Sequence, residues 1–214
     1  MTRAVVFDLW DTLVDFDPEL SRQFTRAIAD RLGRDRGEFE QLWLDGRPAR
    51  DTGPLRAYLT SIGIDEGVRE ELVSLRRDWA RRALVPRAGA VVTLRELRDR
   101  GLGTGLVSVC SDDVPAVWAE TELHGLFDSE VFSCDVGLRK PDPRIYLLAC
   151  EQLGVEPAEA LFVGDGANDE LAGAERVGMR AALIHRPGQE PIWPEAREFR
   201  GPWLTSVPEV LSLL

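Results

Sequence analysis

Val5-Val6-Phe7-Asp8-Leu9-Trp10-Asp11-Thr12-Leu13-Val14 decides the fold of this chain. A run of β-branched and aromatic residues delivers one carboxylate, Asp8, to the end of a strand, and Thr12 follows four residues later. Such a run reads as a buried parallel strand, and open α/β sheets bind ligands at the carboxyl ends of their strands. Asp8 is therefore the candidate nucleophile.

Downstream, Asp17-Pro18-Glu19 reads as a helix start, with Asp17 as N-cap and Pro18 in the first turn. Phe24, Ile28 and Leu32 share one face of that helix, and Phe39, Leu42 and Trp43 form a second apolar stripe before Gly46. Further helices are expected over Leu55 to Ile62 and Asp65 to Leu84, the latter turning Val68, Leu72, Leu75 and Trp79 inward. Nothing in this block alternates as a strand would. It is expected to be a helical unit, residues 16–85, inserted into an α/β core made of residues 1–15 and 86–214.

After the helix Ala88 to Arg100, Gly105 to Ser108 reads as the second strand and exposes Ser108 at its carboxyl end. A short third strand is expected over Glu130 to Ser133. Lys140-Pro141-Asp142-Pro143 sets up a helix from Arg144 to Leu153, Ala160 to Asp165 forms a fourth strand, and Arg180 to Ile184 a fifth. Arg186 to Trp203 reads as irregular, and Val207 to Leu214 as a terminal helix.

In 214 residues no apolar run approaches the ~18 that a membrane span needs. Because Met1-Thr2-Arg3 leads directly into the first strand, a cytoplasmic protein is expected. Cys110, Cys134 and Cys150 are odd in number and lack metal-type spacing, so they are expected to be buried thiols. A formal charge of -11 without a basic stripe argues against nucleic acid as a partner. Lys140 is the only lysine, so a compact ammonium occurs at one position alone.

Four polar signals thus sit just after predicted elements: Asp8, Ser108, Lys140, and Asp165 with Asp169 and Glu170. Carboxylates facing one another repel unless a divalent cation lies between them, and Mg²⁺ prefers such oxygen ligands. A hydroxyl and a lone ammonium beside it suit a phosphoryl group.

Phe7-Asp8-Leu9-Trp10-Asp11-Thr12-Leu13, Leu106-Val107-Ser108, Gly137-Leu138-Arg139-Lys140-Pro141-Asp142 and Val163-Gly164-Asp165-Gly166-Ala167-Asn168-Asp169-Glu170 resemble, in this order, the four motifs of the haloacid dehalogenase (HAD) superfamily. The resemblance implies a Rossmann-like, mainly parallel sheet with a helical cap that closes over the site. It implies that Asp8 attacks the substrate and becomes a phosphoaspartate. Asp8, the Trp10 backbone carbonyl and Asp165 would hold Mg²⁺, Ser108 and Lys140 would bind phosphoryl oxygens, and Thr12 would line the substrate site. Asp169 or Glu170 would support the metal through water or orient Lys140, the helix register favouring Glu170. The expected activity is hydrolysis of a small anionic phosphate ester by a monomer or homodimer.

Trp10 departs from the commonest phosphatase pattern, which has at this position an aspartate that protonates the leaving group. Asp11 and Asp15 lie out of step; either could substitute only if the loop geometry is unusual, and otherwise both are expected to be solvated while Trp10 packs under the cap. An aromatic residue at this position is a feature of the superfamily's dehalogenases, but those need no Mg²⁺ and would leave Asp165 and its acidic neighbours unexplained; Val109 also stands where they carry asparagine. Schiff-base phosphonatase chemistry is excluded, because it needs a cap lysine. A catalytically weak binding or regulatory protein is the third reading. Arg47, Arg50 and Thr52-Gly53 lie between cap helices, where they could meet an anionic substrate. Trp43 and Trp118 read as packing residues, and Arg76, Arg77, Arg81 and Arg82 as the solvated side of a cap helix. No role falls to His124 or His185. A structure is expected to bring Asp8, Ser108, Lys140 and Asp165 to one cleft; Lys140 far from Asp8 would contradict the whole reading.

Overall fold

The computed structural model describes residues 1–186 and 188–214. Strands β1 (Ala4–Phe7), β2 (Gly103–Ser108), β3 (Ser129–Phe132), β4 (Ala160–Gly164), β5 (Arg180–Ile184) and β6 (Trp203–Leu204) form one parallel sheet in the order β3-β2-β1-β4-β5-β6. β1 is central, so Asp8 emerges at the middle of the carboxyl edge, directly after Phe7, which pairs with Leu106 and Val163.

Side chains alternate across the sheet with the strand period of two. Val5, Phe7, Leu106, Leu161 and Val163 enter one core. Val6, Val107, Val131 and Phe162 enter the other, with Ile145 and Tyr146. Both faces are covered, which is why the strands read as continuous apolar runs.

Between β1 and β2 lie helices α1 (Pro18–Arg31), α2 (Arg36–Asp45), α3 (Arg47–Arg50), α4 (Leu55–Ser61), α5 (Glu66–Ala83) and α6 (Ala90–Asp99). Then follow α7 (Asp113–Val117), α8 (Ser133–Val136), α9 (Pro143–Leu153), α10 (Glu170–Arg176) and α11 (Pro194–Arg197). Asp17 caps α1 as its sequence suggests, accepting from the N–H groups of Glu19 and Leu20 at 2.8 and 3.1 Å. The chain leaves β1 and returns to the sheet at one place, where Val14 bridges Pro86 in antiparallel fashion. All three cysteines are buried thiols.

Three stretches differ from the sequence reading. The interval from Arg186 to Trp203 holds α11 and the first residue of β6, both too short to leave a periodic pattern. The C-terminal turns over Val207–Leu213 are 3₁₀ rather than α. Arg76, expected on a solvated face, is buried in α5 because its guanidinium stacks on Trp79 at 3.5 Å. Truncating the fully buried Phe7 (Phe7→Ala) is expected to cost about 3–5 kcal/mol in denaturant unfolding, and a loss below ~1 kcal/mol would contradict its place in the packed centre.

Candidate active site

Three chain segments meet at the carboxyl edge of the sheet. Asp8 directly follows β1, the loop before α9 supplies Lys140, and the turn after β4 supplies Asp165 and leads to Glu170 at the start of α10. All four side chains are buried. The Lys140 ammonium donates to Asp8 Oδ1 and to Glu170 Oε2. Ligand-capable oxygens of Asp8, Asp165 and Glu170 lie within 4.8 Å of one another.

The turn after β4 is built to deliver Glu170. Gly166 has φ +88, and Asn168 and Asp169 follow in the left-handed region at φ 53 and 58. Side-chain-bearing residues seldom adopt that region, and two in succession swing the next residue inward. A Cβ on Gly164 would collide with the Glu170 carboxyl group, so only glycine admits that approach. Glu170 is then fixed by the Gly166 N–H, which donates to Oε1 at 3.0 Å, and by Tyr146, whose hydroxyl donates to the Glu170 carbonyl at 2.9 Å. Asp169 turns outward to an ion pair with Arg176 at 3.0 Å. Of the two acidic residues the sequence left open, Glu170 therefore joins the cluster and Asp169 does not.

Asp165 accepts from the Ala167 N–H at 3.0 Å and from the Trp193 indole N–H at 2.7 Å. Burial, then the neighbouring Asp8 charge, pushes its carboxyl up to about 6. Burial likewise raises Glu170 well above the ordinary carboxylate range. Burial works against the Lys140 ammonium, but Asp8 and Glu170 outweigh it and hold the group charged far above neutral pH.

Above this floor lies a cavity of about 340 Å³. Trp10, Phe16 and Trp79 form one wall, packed ring against ring at centroid distances of 5.5 to 6.5 Å. Arg47, Arg50 and Arg76 reach it from α3 and α5. The Thr12 and Ser108 hydroxyls are fully buried, have no hydrogen-bond partner among the described residues, and do not line this cavity; Ser111 does. Asp11, expected to be solvated, is held at φ 54 by the Phe16 N–H at 3.2 Å and by Arg186 at 3.1 Å. Asp15 is exposed but ion-paired with Arg87 at 2.7 Å.

Sequence reasoning missed Tyr146, Ser111, Trp193 and the inward turn of Arg76. Only Arg76 left a usable signal, since it lies three residues from Trp79 on the same helical face. Trp193 belongs to a segment with no periodicity, and its contact with Asp165 depends on the long return from β5.

At pH 8 and without metal, neutralising Asp165 is expected to stabilise the protein. Its folded-state value lies above the ordinary 3.8, so ionisation costs roughly 2–3 kcal/mol fully above about pH 6, and the cost vanishes as pH falls through 3.8. Asp165→Asn should accordingly raise the melting temperature in chelator at pH 8, with the gain fading towards pH 4; no gain at pH 8 would contradict the geometry.

A sequence profile of the haloacid dehalogenase-like hydrolases matches residues 2–178. The chain is 30% identical over 210 residues to (S)-2-haloacid dehalogenase 4A of Burkholderia cepacia, covering 88% of this chain and 85% of that protein. It is 35% identical over 199 residues to a phosphatase of Mycobacterium tuberculosis, covering 87% and 88%. The crystal structure of a HAD phosphatase from Thermococcus onnurineus superposes with a TM-score of 0.75 at 26% identity, over 99% of this chain and 97% of that one. With its parallel sheet and buried Asp8–Lys140 pair, this chain belongs to the haloacid dehalogenase-like hydrolase family.

Proposed function

We propose that this hydrolase is a Mg²⁺-dependent phosphatase that acts on small phosphorylated metabolites through a phosphoaspartate on Asp8. The observation that carries the reading is charge. Asp8, Asp165 and Glu170 crowd together in a buried site that holds one ammonium, so acidic groups outnumber the cation by three to one. A hard divalent cation fits such an oxygen cluster, and Asp8 and Asp165 with the Trp10 backbone carbonyl would hold it. Bound there, Mg²⁺ would offset the charge of these carboxylates and polarise the phosphoryl group.

Asp8 attacks phosphorus in line, forming the Asp8–phosphorus bond as the ester oxygen leaves with its electron pair; water then cleaves that bond and releases phosphate. Lys140 stays protonated and faces the phosphoryl oxygens, with Glu170 and Tyr146 as positioning residues behind it. Ser108 and Thr12 belong to this site only after a local shift of their buried hydroxyls towards the cavity. The helices of residues 16–85 act as the cap, with Arg47 and Arg50 towards the substrate. We take the enzyme to be cytoplasmic, a monomer or homodimer without nucleic-acid partners; no described helix is long and apolar enough to cross a membrane.

Trp10 favours the second reading, a 2-haloacid dehalogenase in which Asp8 displaces halide from carbon. Its ring packs against Phe16 and Trp79 and can donate no proton to an alkoxide. In a phosphatase the leaving group then departs as an anion, so rates should fall steeply with its basicity. Trp10→Asp is expected to raise alkyl-phosphate turnover by up to about 10²-fold and to flatten that dependence, whereas Asp8→Asn should abolish turnover in both backgrounds. Rates on a graded series of phosphate esters decide it. Equal slopes for wild type and Trp10→Asp would assign the proton to another group such as Asp11. Chelator-resistant release of halide from 2-chloropropionate, with no phosphate ester consumed, would establish the dehalogenase.

A further inference from the structure

The roof of the cavity carries charge of the opposite sign to its floor. Arg50 is 5% exposed, and its guanidinium lies 3.9 Å above the Trp43 ring. One terminal nitrogen donates to the Trp43 carbonyl at 2.7 Å; among the described residues Nε has no partner and no carboxylate lies within ion-pair distance. Arg76 lies beside it. Its Nε is 3.0 Å from Asp113, close enough for an ion pair but out of line for a hydrogen bond. A buried guanidinium with unused donors is costly unless something else accepts from it.

The carboxylates nearest Arg50 are engaged elsewhere. Asp51 is shared by Arg47 at 3.8 Å and Arg139 at 3.5 Å, Asp113 faces Arg76, and Asp112 accepts from the Leu55 N–H at the start of α4. Of Arg47, Arg76, Arg139 and Arg50, only Arg50 has no carboxylate within ion-pair distance among the described residues. Burial and the neighbouring Arg76 pull the Arg50 value down only to about 10, so the cation persists at neutral pH.

We infer that Arg50 and Arg76 form a second anion subsite that takes a carboxylate on the substrate, making the substrate class phosphorylated hydroxy acids. A carboxylate would supply the partner that Arg50 lacks, and its two oxygens suit the planar guanidinium fork. Trp10, Phe16 and Trp79 line the interval between floor and roof, so the spacer joining phosphate and carboxylate is apolar, an alkyl chain or an aryl ring. This subsite rests on the phosphatase reading for the other end of the substrate, while its carboxylate-binding half can be measured without turnover.

The test is a series of ω-carboxyalkyl phosphates of increasing length, each compared with the alkyl phosphate of the same length, using wild type with Mg²⁺. At one optimal length the carboxylate should raise kcat/KM by roughly 10- to 100-fold, chiefly through KM, as a charged hydrogen bond would. Arg50→Met should reduce that preference to below about twofold, and Arg50→Lys should restore part of it. Turnover of the esters with no carboxylate preference at any length overturns the subsite and leaves the phosphatase reading standing. If wild type hydrolyses no phosphate ester, the phosphatase reading fails, and calorimetry with glutarate and 4-hydroxybenzoate decides the subsite. Binding to wild type that weakens at least tenfold in Arg76→Met supports it, and absence of binding overturns it. Should the methionine variants fail to fold, the length dependence of the wild type and the Arg50→Lys variant still decide the matter.

Discussion

The contact on which the rest depends is the link from the Lys140 ammonium to Asp8 and Glu170. It joins the central strand, the loop before α9 and the turn after β4 in one buried charge cluster. Such a cluster is poor material for stability, since desolvation of four ionisable groups offsets most of the attraction between them. Its value is placement. The single lysine is held charged against burial by Asp8 and Glu170, and with Asp165 beside them three carboxyl groups share one buried ammonium.

The polypeptide accepts strain to achieve this. Asp11, Asn168 and Asp169 are the non-glycine residues with positive φ among the described residues, and all three lie within a few positions of the cluster. Each costs of order 1–3 kcal/mol. That cost is offset by an otherwise regular frame, a parallel sheet packed on both faces with β1 buried at its centre. Asp11 takes its left-handed turn immediately after Trp10; the indole lines the cavity while the Asp11 carboxylate meets Arg186. The aromatic wall and the lack of an acid at this position both come from one side chain, that of Trp10.

Much of this could be read from residues alone, because the informative patterns are local. The apolar run before Asp8, the Pro18 helix start and the single lysine each say what they do within a few positions. Five of the six strands follow from such runs; β6, two residues long, has no period to display. The choice between Asp169 and Glu170 turned on two left-handed residues whose conformation depends on the packing around Gly164 and Gly166, and composition does not encode that. Arg76 and Trp193 were misread or missed for a related reason. Their partners lie on other elements, and a guanidinium reads as solvent-facing until an aromatic ring and a buried carboxylate are placed beside it.

The central claim is that Asp8 attacks phosphorus, and it is tested most directly by catching the covalent enzyme. The protein is mixed with an aryl phosphate and Mg²⁺, quenched in acid within the first turnover, and measured by intact mass and peptide mapping. A mass gain of one phosphoryl group on the peptide bearing Asp8, absent when chelator replaces Mg²⁺, is the expected result. Steady hydrolysis of the ester with no adduct on Asp8, or with the phosphoryl group on another residue, would contradict the account.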